Sequence, residues 1–114
     1  MPRDHRLYLS DILTFAELID QALSARSLEE LRTDRHLQAA IERYLETIGE
    51  AVKRVPDEIK TAYPSARWRK AASMCDILAH DYPAIVVEVI WDTAMQDVPE
   101  LAALVRKIMS DSTQ

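Results

Sequence analysis

Apolar residues recur along this chain with the spacing of helices rather than strands. From Asp4 to Ala25, the positions Leu7, Leu9, Ile12, Leu13, Phe15, Ala16, Ile19 and Leu23 fall mostly at i, i+3, i+4 and i+7, which predicts an amphipathic helix. Ser27, with Glu30 three residues on, has the form of a capping box and predicts a short turn of helix carrying Leu28 and Leu31. Asp34 opens a second long helix, to about Val55, with a stripe of Ala40, Ile41, Tyr44, Leu45, Ile48, Ala51, Val52 and Val55. A short turn from Pro56 to Tyr63 follows and ends at Pro64. A third long helix is predicted from about Ser65 to Ala79, ending near His80 because Pro83 disfavours a helical Tyr82. The β-branched run Ile85 to Ile90 would suit a buried strand, but it has no partner strand, so it is read as a buried helix continuing to Met95. Asp97 and Pro99 then start the last helix, to about Met109. The fold class is therefore all-α, an antiparallel four- to five-helix bundle in one domain spanning residues 1–114.

Composition narrows this picture. Hydrophobic residues make up 48% of 114 residues, enough for a core at this size. The single glycine, Gly49, argues against hairpins, which need glycine at their turns. It lies inside the second long helix, at a cost of about 1 kcal/mol relative to alanine, which suggests close approach by another helix. One cysteine rules out an internal disulfide and favours a cytoplasmic location. No apolar run approaches the roughly 20 residues of a membrane span, and the charged start of the chain is not a signal peptide. A net charge of −5 argues against a dedicated sequence-independent DNA binder but leaves room for a local basic cleft.

The chemistry concentrates at the end of the third helix, in Cys75-Asp76-x-x-x-His80-x-Tyr82. Asp76 and His80 are four apart and share a helical face. An imidazole beside a carboxylate that orients it and a phenol that donates a proton makes a plausible acid–base site. Spacing alone is met as well by a solvated ion pair, an ordinary buried cysteine and a tyrosine at the rim of the core, which are commoner. Cys75 and His80 diverge by about 140° around a helix, so they do not form a nucleophile pair. His5, His36 and His80 are scattered, no metal-ligand spacing is present, and neither metal nor cofactor is expected.

The stretch Trp68-Arg69-Lys70-Ala71-Ala72-Ser73-Met74-Cys75-Asp76-Ile77-Leu78-Ala79-His80-Asp81-Tyr82 resembles the signature of HepT-like proteins of the HEPN superfamily. So do Ile48-Gly49-Glu50-Ala51-Val52-Lys53-Arg54 upstream, and Val89-Ile90-Trp91 and Asp97-Val98-Pro99-Glu100-Leu101 downstream. The resemblance implies a bundle of the HEPN type, a homodimer and a metal-independent ribonuclease acting on tRNA or mRNA. It also implies the toxin half of a toxin–antitoxin pair, whose partner is a nucleotidyltransferase antitoxin of the MntA type that attaches AMP to the motif tyrosine. The family motif is arginine, four to six residues, histidine, any residue, tyrosine. His80 and Tyr82 match it, which makes His80 the acid–base residue and Tyr82 the AMPylation site. Asp76 matches the polar residue after the arginine, and Cys75 stands at the arginine itself.

That departure bears on the chemistry. Metal-free cleavage lets a ribose 2′-hydroxyl attack the neighbouring phosphate. A guanidinium, always charged and bidentate, suits the developing negative charge; a thiol does not. The chain is expected to be weakened or inactive, whether disarmed by design or by divergence. The alternative is a non-catalytic module that binds RNA or the nucleotidyltransferase. Arg43, Glu50, Arg69 and Lys70 are further candidates for lining the cleft.

Overall fold

A computed structural model of the chain describes residues 4–80 and 86–112, with the backbone alone at Ala79, His80 and Ser112. Every regular element among the described residues is helical. The long ones are α1 (His5–Leu23), α3 (Arg35–Arg54), α5 (Ala66–His80) and a final ladder made of α6 (Val87–Asp92), a π-helical turn (Thr93–Asp97) and α7 (Val98–Ser112). Two short helices, α2 (Leu28–Thr33) and α4 (Asp57–Ala62), serve as connectors.

The termini of these helices are fixed by side chains that take up orphan backbone donors. Asp4 accepts from the Arg6 amide at the start of α1. Ser27 accepts from the Glu30 amide at 3.1 Å, while the Glu30 carboxylate takes up the Ser27 hydroxyl. Asp34 accepts from the Leu37 amide at 3.0 Å and opens α3. Trp68, buried at the start of α5, donates its indole N–H to the Tyr63 carbonyl at 2.9 Å, and the Tyr63 hydroxyl donates to Asp111 on α7 at 2.7 Å. The turn after α4 is thereby tied to α5 and to α7.

The apolar stripes pack into one core. Leu9, Ile12, Ala16, Ile19 and Leu23 of α1 meet Ile41, Leu45, Ile48 and Val52 of α3, and Leu101, Val105 and Ile108 of α7 close the other side. α5 adds Trp68 and Leu78 from its own side of α3.

Two expectations need correction. Asp97 and Pro99 do not start a separate helix: the chain runs from α6 into α7 without a break. A proline inside a helix lacks an N–H and crowds the carbonyl four residues back. Here the helix widens just ahead of Pro99, and the Val98 N–H reaches back to the Thr93 carbonyl, a π-type bond that takes the proline through without breaking the helix. Nor is the β-branched run fully buried. Ile90 is in the core, whereas Val86 and Val89 are exposed; Ile85 lies outside the described residues.

The glycine is spent on packing, not on a turn. A Cβ built at Gly49 would overlap the Cβ of Cys75 on α5 and sit 2.8 Å from the Ala71 carbonyl oxygen. The left-handed position after α1, where glycine would sit without strain, is instead held by Ala25 at φ 62°. Gly49→Ala gains about 1 kcal/mol of helix propensity but forces α3 and α5 apart against backbone. Overpacking of this kind costs about 1–3 kcal/mol or more. We expect a net loss of stability in urea unfolding, despite the better helix former.

Candidate functional site

Ala71, Cys75 and Leu78, spaced three and four apart, turn the same side of α5 toward α3. Cys75 is consequently 4% exposed and pressed against Gly49. Burial pushes its thiol pKa up. The Lys53 ammonium pulls the other way, and the carboxylates of Glu50, Asp76 and Glu46 reinforce the rise. The thiol thus stays protonated, surrounded by three acids and one base.

Asp76, the next residue, is about 100° further round α5 and points out of the helix pair. Its carboxylate forms an ion pair and hydrogen bond with Lys53 of α3. This hydrogen bond raises the lysine pKa above its ordinary value, so the ammonium stays charged at any working pH. His80 is the last residue of α5. On helix geometry it lies about 40° from Asp76 and one turn beyond it, but about 140° from Cys75. The Lys53–Asp76 pair therefore belongs to the same face of α5 as His80, whereas position 75 faces α3. Tyr82 lies outside the described residues.

The four candidate lining residues fall in two places. Glu50 acts on Cys75 from α3, and Arg43, two turns earlier, pairs with Glu46 at 3.4 Å. Arg69 and Lys70 line a separate cleft of about 550 Å³ between α5 and the α6 region, with Ser73, Ile77, Val89 and Asp92. Lys70 lies 3.6 Å from Asp97 across that cleft. Sequence reasoning left Lys53 out of the site. Its only local signal is its place one turn after Gly49 on the same face of α3, since its partner is 23 residues away. Among the described residues, no group of three or more His, Cys, Asp or Glu side chains is arranged to hold a metal ion. No helix among them is long and apolar enough to cross a membrane.

The arrangement offers an imidazole-bearing position at a helix end, a carboxylate one turn below it and an ammonium held by that carboxylate. It lacks a guanidinium at position 75. Such a site can exchange a proton near an anionic substrate, with less positive charge than phosphate chemistry favours.

Comparison with known proteins identifies the family of the chain. The family model for ribonuclease HepT-like proteins matches residues 12–108. A protein of Thermococcus cleftensis named "Probable ribonuclease HepT" is 38% identical over 108 residues, covering 95% of this chain and 98% of its own. A protein of Caldanaerobacter subterraneus named "Putative RNase TTE0752" is 36% identical over 104 residues, covering 91% of this chain and 93% of its own. A protein of Methanocaldococcus jannaschii named "Putative RNase MJ0125" is 34% identical over 109 residues, covering 96% and 94%. No solved structure matches the chain. With a family match over most of its length and relatives that share its full span, the chain belongs to the HepT-like ribonuclease family.

Proposed function

We propose that this chain is the RNA-cleaving subunit of a toxin–antitoxin pair, acting on tRNA or mRNA without a metal, with its rate held down by Cys75. The ribose 2′-hydroxyl gives up its proton and attacks the adjacent phosphate, and the 5′-oxygen of the next nucleotide leaves and takes a proton. His80 handles one of these protons. The observation that carries the proposal is the match to HepT-like ribonucleases over residues 12–108, with the motif histidine position on the same face of α5 as the Lys53–Asp76 pair; position 75 bears on the rate. A neutral, buried thiol stands where the motif has its arginine, and the carboxylates of Glu46 and Glu50 act on it without that cation. The site keeps its acid–base residue and loses the charge that would hold the phosphorane.

The same reading includes a homodimer and a nucleotidyltransferase antitoxin. Ile77 on α5 and Val89 on α6 are 37% and 44% exposed and line the same cleft, where exposed apolar side chains among charged ones of both signs suit a second copy. Two copies meeting there would bring two motif faces to one groove and build from two acidic chains a composite RNA site. AMP attached to Tyr82 by the antitoxin would add negative charge two residues from His80 and repel RNA phosphate. The second reading, a module that binds RNA or the nucleotidyltransferase without cutting, is favoured by Cys75 itself and by the net charge of −5.

Cys75→Arg is expected to raise RNA cleavage about 10²- to 10³-fold, the usual value of one electrostatic group at a developing charge. His80→Ala in that background should abolish the gain. Cleavage that stays at background in Cys75→Arg, with or without His80, would favour the non-catalytic module. For the dimer, Ile77→Glu combined with Val89→Glu should convert the protein to a monomer in sedimentation. An unchanged mass would place the interface elsewhere.

A further inference from the structure

The loss of the motif arginine poses a physical problem that the helix pair itself answers. Four charged groups act on Cys75: Lys53, Glu50, Asp76 and Glu46, of which Lys53 alone is cationic. Other bases near the motif are badly placed. Arg69 shares the helical face of His80 but lies eleven residues away, about 16 Å along the axis. Arg43 is ten residues, or about 15 Å, back along α3 from Lys53, and is paired with Glu46. Arg54 points about 100° round α3 from Lys53. Lys53, by contrast, reaches across from α3 to Asp76, on the His80 face and one turn below it.

We infer that Lys53 supplies the phosphate-binding charge of this site in place of the guanidinium absent from position 75. The inference rests on the RNA-cleaving reading for its role, though not for its test. An ammonium has three donors, and its side chain is 43% exposed, so the Asp76 contact leaves donors facing solvent. RNA phosphate entering along the His80 face meets this charge first. Asp76 then has a double effect: it holds Lys53 on the right face of α5, and it competes with phosphate for the same ammonium. A lysine is a point charge and not a planar fork, so it binds one phosphate oxygen where an arginine binds two. That fits a site that binds RNA but turns it over slowly.

The full-length protein, titrated with a short 2′-O-methyl RNA that cannot be cleaved, tests this directly. Lys53→Gln should weaken binding about fivefold or more and reduce the slope of log affinity against log salt by about 0.7, the share of one phosphate contact on a single strand. Lys53→Arg should keep both. Asp76→Asn should strengthen binding, because it frees the ammonium and removes an anion. A merely structural ion pair makes a different forecast, since Lys53→Gln and Asp76→Asn break the same contact and should then change affinity in the same direction. That result, or a Lys53→Gln protein with unchanged affinity and salt slope, overturns the assignment. RNA cleavage by Cys75→Arg decides the nuclease reading separately, so an inert Cys75→Arg protein does not bear on Lys53.

Discussion

The approach of α3 to α5 at Gly49 is the contact on which the rest of the molecule depends. Only a residue without a Cβ lets Cys75 and the Ala71 carbonyl lie against α3. That closeness fixes which way α5 is turned. Position 75 is pointed into the helix pair, and Asp76 is pointed out beside it. Asp76, near the end of α5, is then within reach of Lys53, one turn beyond Gly49. A packing constraint between two helices thus becomes a distribution of charge at the end of one of them.

That distribution shows how a HepT-like chain can carry a small, uncharged residue at position 75 without loss of its fold. Cysteine is small, apolar in character and content to be buried, so the helix pair tolerates it at position 75. An arginine there would share the same Cβ and differ only beyond it, where its guanidinium would feel the charge of the Glu46 and Glu50 carboxylates that act on Cys75. Packing and charge are therefore separable at this residue: the Cβ that meets Gly49 can stay while the charge beyond it changes.

Much of this was legible from spacing. The stripes of α1 and α3 repeat over five turns, and the structure buries Leu9, Ile12, Ile19, Ile41, Leu45 and Ile48 as that period requires. Gly49 announced a close helix contact because nothing else justifies its cost inside a helix. The family signature marked position 75. Less was legible where local pattern fits two outcomes. Pro99 has the same local signature whether it opens a helix or is carried through one by a π turn, and only the packing of the ladder decides. The run around Val86 and Val89 is broken only by Glu88, so periodicity does not say which of its valines are covered. Lys53 escaped because its meaning lies in a partner on another helix, which no local spacing encodes.

A crystal structure of the Cys75→Arg variant tests the central claim most directly, because it asks whether charge at position 75 can change while the Gly49 crossing stays fixed. The account predicts that α3 and α5 keep their separation at Gly49, with the guanidinium lying beside the Glu46 and Glu50 carboxylates. Helices pushed apart at Gly49, or a guanidinium turned away from those carboxylates, would contradict it.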